Sequence, residues 1–143
     1  KIMAVDLEGI TKAYEDVRSY TSSTVWAVFK YDGNNIIYDQ SDHGYNYDDV
    51  INFCEDDYRF YAFVRIEAGD EMSKRSKFVL ITWVGKAVPP LKKAKVSTDK
   101  AFVKEACPSI ALDILSEEKE EITLDEVTEK VKRVGGANYG TGQ

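Results

Sequence analysis

The chain has 143 residues, 43% of them hydrophobic, which suffices for one domain with its own core. Its net charge of −6, from 19 basic and 25 acidic side chains, argues against a protein whose whole surface attracts nucleic acid. No apolar run approaches the roughly 20 residues of a membrane span, and KIMAVDLEG at the start lacks the pattern of a signal peptide. We therefore expect a single cytoplasmic domain over residues 1–143, with a flexible tail over about residues 137–143.

The first elements along the chain are a helix and two strands. Residues 6–19 predict an amphipathic helix capped by Asp6. The expected apolar face of this helix consists of Leu7, Ile10, Tyr14 and Val17. Residues 24–31 are rich in β-branched and aromatic side chains and run into Asp32-Gly33, which is a strong hairpin signal. Residues 35–39 then supply the second strand of this pair.

The middle of the chain predicts a short helix and a longer hairpin. After a polar loop at 39–46, apolar residues at helical spacing over 47–54 predict a helix that begins near Asp48. Residues 58–66 and 77–84 are continuous apolar runs, which are typical of strands covered by helices on both faces. The intervening residues 69–76 have turn chemistry, so we expect an exposed hairpin loop there.

A long helix, a short strand and a last helix complete the chain. Pro89 and Pro90 predict the start of the long helix, because a missing N–H group costs little there. The expected inner face of the long helix consists of Leu91, Ala94, Thr98, Phe102 and Ala106. Residues 109–115 predict a strand, and residues 117–121 an acidic linker.

The last helix has recognisable signals at both ends. Thr123 and Glu126 form a capping box, and Gly135-Gly136 predict the C-terminus of the helix. Its expected inner stripe consists of Leu124, Val127, Val131 and Val134. The predicted order is αββαββαβα. It corresponds to an α+β fold in which helix layers flank a mixed sheet of five or six strands.

Positive charge is concentrated in one part of the sequence. Residues 72–104 contain nine Lys or Arg side chains and one acid, Asp99, whereas the remainder contains 10 basic and 24 acidic side chains. The segment thus has a charge of +8 and the remainder −14. Such a separation attracts and orients an acidic partner, so the sequence favours binding over catalysis.

The residue types needed for catalysis or metal binding do not form a known pattern. His43 is the only histidine and lies in a polar loop, where a solvated side chain is expected. The acids Asp39, Asp42, Asp48 and Asp49 lack the spacing of a calcium-binding loop. We therefore expect no catalytic residue, no metal and no cofactor. Nucleic acid is also not expected, since aromatic side chains do not alternate with the basic ones.

Four stretches of sequence resemble a known protein family. They are WAVFKYDG at 26–33, FVRIEAGDEMSKRSKFVLITWVG at 63–85, STDKAFVKE at 97–105 and VGGANY at 134–139. On these motifs the chain resembles the actin-depolymerising factor homology family and, within it, the coactosins. GDEMSKRSKF at 69–78 and GGANY at 135–139 are the most specific motifs, and the resemblance covers almost the whole chain.

The resemblance implies a non-enzymatic, monomeric protein of the actin cytoskeleton that binds along filaments and modulates their dynamics, for example by countering capping. It also implies a filament-binding surface, in which Lys77 holds the decisive position. That surface comprises Lys74, Arg75 and Lys77 of the hairpin and Glu129, Lys130, Lys132 and Arg133 of the last helix.

A second candidate actin surface in the wider family lies on the long helix. Here it would comprise Lys92, Lys93, Lys95, Lys100 and Lys104. Monomeric actin is a further candidate partner. An alternative function is the binding of phosphoinositides or another anionic partner by the same basic residues, because anionic membrane surfaces attract clusters of lysine and arginine.

Overall fold

The structure is a computed structural model that describes residues 4–69 and 75–142, with side chains described as far as residue 134. Its helices and strands agree with the predicted order, to which one short strand and one 3₁₀ helix are added. They are α1 (Leu7–Arg18), β1 (Trp26–Asp32), β2 (Asn35–Ile37), β3 (His43–Gly44), a first 3₁₀ helix (Tyr47–Phe53), β4 (Arg59–Ala68), β5 (Arg75–Val84), α2 (Pro90–Ala106), β6 (Leu112–Ser116), a second 3₁₀ helix (Lys119–Ile122) and α3 (Leu124–Gly142).

The described strands form one mixed sheet, as predicted. Its order is β2-β1-β4-β5-β6, and the short β3 also pairs with β1. The pairs are antiparallel except for β5 with β6, which run parallel. A parallel pair needs a long crossover connection, and α2 provides it. The α+β class predicted from the sequence is confirmed.

Both faces of the sheet are covered, which explains the continuous apolar runs of β4 and β5. On one face, Ile10 of α1 and Val96 of α2 belong to the same core cluster as Phe63. On the other face, Val127 and Val131 of α3 belong to a cluster that includes Trp83. Successive side chains of a strand point to opposite faces, so each of these strands needs apolar residues at nearly every position.

The predicted Asp6 cap, the Thr123 half of the predicted capping box and the first turn are present. Asp6 Oδ1 accepts a hydrogen bond from Gly9 N at 3.0 Å, and Thr123 Oγ1 accepts one from Glu126 N at 3.3 Å. Gly33 has a φ of 63°, the left-handed conformation that the turn between β1 and β2 requires. The sequence predicted these features because each of them depends on residues only a few positions apart.

Four of the predicted elements need correction. Residues 47–53 form a 3₁₀ helix, begun by Asn46, whose side chain accepts a hydrogen bond from Asp48 N. The predicted polar loop contains β3, which pairs with β1 at Trp26 and Ala27. The acidic linker includes the second 3₁₀ helix, and β6 begins at Leu112, three residues later than predicted. Each difference depends on tertiary packing, which local periodicity does not report.

The inner face of α2 differs from the prediction. The structure buries Val96, Asp99, Val103 and Ala106, whereas Leu91 and Phe102 are 87% and 44% exposed. The periodicity of apolar residues did not indicate the buried face, because one residue of that face is the aspartate Asp99. A buried aspartate at the centre of the face lowers the apolar periodicity that the prediction used.

The inner stripe of α3 is narrower and the helix longer than predicted. Val127 and Val131 are buried, but Leu124 and Val134 are 40% and 39% exposed. The helix continues through Gly135-Gly136 to Gly142 instead of ending at the glycine pair. Glycine inside a helix costs about 1 kcal/mol relative to alanine, which weakens a helix without obliging it to stop.

Candidate functional site

The hairpin of β4 and β5 presents the first group of predicted site residues. Arg75 is opposite Ala68 and Lys77 is opposite Ile66. Ala68 and Ile66 belong to the core cluster on the α3 face, and directly opposed residues share a face of the sheet. Arg75 and Lys77 therefore lie on the face that α3 covers. Lys74 lies outside the described residues.

The nearest acid across the hairpin lies on the other face. Glu67 is opposite Ser76, whose Oγ donates a hydrogen bond to Glu67 Oε2 at 2.9 Å. Because side chains alternate between faces, this pair points away from Arg75 and Lys77. Within the described part of the chain, no ion pair involves Arg75 or Lys77.

The second group of predicted site residues lies on the outer side of α3. Glu129, Lys132 and Arg133 are exposed, and Lys130 is half-buried. Lys130 Nζ is 3.8 Å from Glu126 Oε1 and donates a hydrogen bond to the carbonyl oxygen of Glu121 at 3.4 Å. Lys130 is therefore partly held by its own surroundings. Across residues 4–69 and 75–134, no ion pair involves Lys132 or Arg133.

The second candidate surface, on α2, is largely engaged within the molecule. Lys95 Nζ is 2.7 Å from Asp99 Oδ2. Lys100 and Lys104 each lie 3.3 Å from Asp113 Oδ2 on β6. For Lys92 and Lys93, the described structure shows no ion pair. The basic segment of the sequence thus presents less available charge on α2 than its composition indicates.

A buried polar cluster beneath α2 was not predicted from the sequence. Asp99 is 3% exposed and accepts hydrogen bonds from Tyr31 OH at 2.8 Å and from Lys95. Tyr61 OH donates to the carbonyl oxygen of Val96 at 2.6 Å and lies 3.1 Å from Tyr31 OH. Burial raises the pKa of both tyrosines, so they stay protonated. The cluster joins α2 to the sheet.

The predicted site residues therefore separate into three sets. Arg75 and Lys77 occupy the sheet face that α3 covers, and the exposed residues of α3 border the same side of the molecule. The lysines of α2 lie on the opposite side, where α2 packs. The described residues of the first two sets thus lie on the α3 side of the sheet, apart from the lysines of α2.

The residues considered for catalysis or metal binding have local roles. His43 Nδ1 is 2.8 Å from the carbonyl oxygen of Gln40 and 3.2 Å from Tyr38 OH, both in its own loop region. Within the described residues, no group of three or more His, Cys, Asp or Glu side chains is arranged to hold a metal ion. Nor does any helix in the described part of the chain have the length and apolar character needed to cross a membrane.

Comparison with known proteins shows the family to which this chain belongs. Residues 3–132 match the model of the family described as cofilin/tropomyosin-type actin-binding protein. This chain belongs to that family. A coactosin-like protein from Bos taurus is 44% identical over 135 residues, which cover 94% of each chain.

Two solved structures support the assignment. The crystal structure of human coactosin-like protein superposes with a TM-score of 0.87 at 40% identity, covering 92% of this chain and 99% of that one. The solution structure of mouse coactosin, described as an actin filament binding protein, gives a TM-score of 0.78 at 41% identity. It covers 99% of this chain and 98% of the mouse chain. The family resemblance seen in the sequence motifs is thereby confirmed.

Proposed function

We propose that this chain is a non-enzymatic protein that binds along actin filaments and modulates their dynamics, for example by countering capping. Its filament surface consists of Lys74, Arg75, Lys77, Glu129, Lys130, Lys132 and Arg133. The observation that carries the proposal is the register of β4 with β5, which points Arg75 and Lys77 to the α3 side and away from Glu67. The similarity to mouse coactosin, an actin filament binding protein, supports it.

The construction of the filament surface suits a large acidic partner. Arg75 and Lys77 belong to a strand that is paired along its whole length, so little backbone freedom is lost when they bind. Arginine offers a planar fork of donors to a carboxylate, whereas lysine acts as a compact point charge. Arg75 and Arg133 are therefore the candidates for directional contacts, and the lysines supply attraction that is less dependent on geometry.

The other candidate partners have less support than actin filaments. Binding of monomeric actin and the second actin surface on α2 stay predictions. Of the lysines in that second surface, Lys92 and Lys93 lack an ion pair in the described structure. Phosphoinositides compete for the same charges, but no feature of the described residues favours a lipid headgroup over a protein. We place the protein at the actin cytoskeleton, as a monomer and without a cofactor.

Filament co-sedimentation with Lys77→Glu tests the proposal. The substitution removes an attraction and adds a repulsion, and a central charged contact is worth about 2 kcal/mol, or about thirtyfold in Kd. Lys77→Glu should therefore fail to pellet at micromolar concentrations while its thermal unfolding stays unchanged. Binding of the unchanged protein should weaken with added salt, because charges separated by more than about 8 Å are screened at physiological ionic strength.

Lys12→Glu is the matched control. Lys12 lies on α1, its side chain is 75% exposed, and the substitution makes the same change in net charge. Equal losses from both variants would show that net charge matters and the proposed surface does not. Pelleting with anionic vesicles but not with filaments would instead favour the lipid alternative. Native-gel retention of monomeric actin, with the same preparation, identifies the form of actin that is bound.

A further inference from the structure

The strand β6 forms one edge of the described sheet. It pairs with β5 on one side, and no described strand pairs with the other side. Alternate residues of an edge strand direct their N–H and C=O groups outward, where an added strand can bind them. Edge strands are commonly protected by their brevity or by charge. With five residues, β6 is short, but the grooves on both sides of it include apolar side chains, among them the exposed Leu115.

On the α3 side, the edge borders a groove of about 410 Å³. Leu112, Ile114 and Leu115 of β6 form one wall of this groove. Lys130, Arg133 and Val134 of α3 form the other wall. Val134, which the sequence predicted to be buried, is 39% exposed in this groove.

On the α2 side, the same edge borders a second cavity, of about 450 Å³. Its lining includes Val84 and Leu115 together with Lys93 and Ser97 of α2. Leu115 borders both cavities and is 59% exposed. Side chains of an added strand would alternate between the two faces of the sheet, and each face offers them a cavity.

The charges along β6 differ between its two ends. Near its start, Lys100 and Lys104 both contact the single carboxylate of Asp113, which leaves one positive charge in excess. Arg133 adds a further positive charge on the α3 side. Beyond its end, the α2-side cavity is lined by three acids, Glu117, Glu118 and Glu121, and by Lys93. Lys86 pairs with Glu118, so one negative charge remains in excess there. An acidic side chain is thus attracted at the start of β6 and repelled at its end.

We propose that the β6 edge, flanked by its two grooves, binds an extended segment of a partner protein by strand addition. The segment carries acidic residues beside the start of β6 and alternating apolar residues along it. Backbone hydrogen bonds hold the segment, Leu115 and Val134 contact its apolar side chains in the α3-side groove, and Lys100 and Lys104 contact its carboxylates on the opposite face. This binding is independent of the hairpin half of the filament surface.

Synthetic peptides test the proposal directly. The probe is the fluorescein-labelled peptide DVEVTVTV, and NVQVTVTV is its uncharged counterpart. Binding is measured by fluorescence anisotropy and by amide shifts of residues 112–116 in NMR spectra. Two further versions of the probe carry N-methyl groups on alternate backbone nitrogens. One version is methylated at the odd-numbered residues of the peptide and the other at the even-numbered residues. Only the set that faces β6 donates to it, so one methylated version should lose binding and the other should keep it.

Leu115→Arg should weaken probe binding at least about tenfold, because it replaces the side chain that borders both grooves. Leu7→Arg on α1, where the side chain is 41% exposed, is the matched control and should leave binding unchanged. Leu115→Arg should leave filament pelleting intact, so failure of the edge site is distinguishable from failure of the filament surface.

Three results would overturn the proposal. The first is equal binding by both methylated peptides, which would show that side chains alone are recognised. The second is no saturable binding of DVEVTVTV at millimolar concentration. The third is a concentration-dependent dimer of the chain, measured by sedimentation velocity and abolished by Leu115→Arg, which would make a second copy the occupant of the edge.

Discussion

At the scale of single residues, Asp99 shows how a buried charge is accommodated. A carboxylate without partners is costly to bury, but this one accepts hydrogen bonds from Tyr31 and Lys95. The Arg59 guanidinium lies 3.8 Å from the centre of the Tyr31 ring and packs against the same cluster. The contacts tie α2 to β1 and thus fix the helix that connects the parallel strands β5 and β6.

We predict that Asp99→Ala lowers the free energy of unfolding by about 2–3 kcal/mol, because it removes the carboxylate that accepts from both Tyr31 OH and Lys95 in a buried cluster. Asp99→Asn should cost less, since an amide oxygen can still accept from Tyr31. Urea unfolding followed by circular dichroism measures both. Asp113→Ala is the comparison: its side chain is 25% exposed, and loss of its surface pairs should cost under about 1 kcal/mol. Equal losses for Asp99→Ala and Asp113→Ala would contradict the assigned role.

At the scale of elements, local patterns predicted the helix caps and the long hairpin but not every buried face. The runs of β4 and β5 were interpretable because burial on both sides demands apolar residues throughout. The face of α2 was predicted wrongly because Asp99 occupies its centre, and no local signal distinguishes a buried aspartate from an exposed one. The stripe of α3 also differs from the prediction: Leu124 and Val134 match the apolar period but are 40% and 39% exposed.

For the candidate site, the sequence supplied a hypothesis about the residues but not their geometry. The sequence placed Lys77 beside a hairpin turn, yet only the register with Ile66 shows which face it occupies. Likewise, Lys100 and Lys104 of α2 pair with Asp113 of β6, because the chain turns back after α2 and places β6 beside it. The local composition of the sequence does not show such pairing between elements.

For α3, we predict that binding and stability separate. Lys130→Ala combined with Lys132→Ala should weaken filament pelleting, since two positive charges leave the filament surface. The midpoint of thermal unfolding should change little, because the pair of Lys130 with Glu126 is a surface pair. Val131→Ala provides the opposite control. Because Val131 is buried, this substitution should lower the free energy of unfolding by about 2 kcal/mol and leave the filament surface intact. A large loss of stability in the double lysine variant would show that these side chains are structural.

At the scale of the whole molecule, the uneven charge of the sequence is only partly preserved at the surface. Of the nine basic residues at 72–104, four contact acids: Lys86, Lys95, Lys100 and Lys104. The contacts with Glu118 and Asp113 reach outside the segment and hold α2 and its flanking loop against β6 and the residues after it. Among the described residues of this segment, the basic side chains without an ion pair are Arg75 and Lys77 of the hairpin and Lys92 and Lys93 of α2.

The interior determines how the whole molecule responds to alkaline pH. Burial raises the pKa of the Cys54 and Cys107 thiols from 9.0 to about 12, and burial also raises the pKa of Tyr31, Tyr47 and Tyr61. In the unfolded chain the thiols lose their protons near pH 9, whereas the folded protein keeps them. The unfolded state then binds fewer protons, so stability decreases as pH rises, by about 1.4 kcal/mol per pH unit for each thiol.

We therefore expect the free energy of unfolding to be constant near pH 7–8 and to fall from about pH 9, more steeply above pH 10, where the unfolded tyrosines also ionise. Urea unfolding under reducing conditions, repeated between pH 7 and 11, measures the curve. Cys54→Ala combined with Cys107→Ala should lower stability at neutral pH but make the decline shallower, with its onset moved toward pH 10 because only the tyrosines remain. The same onset and slope in this variant and in the unchanged protein would show that other groups govern alkaline unfolding.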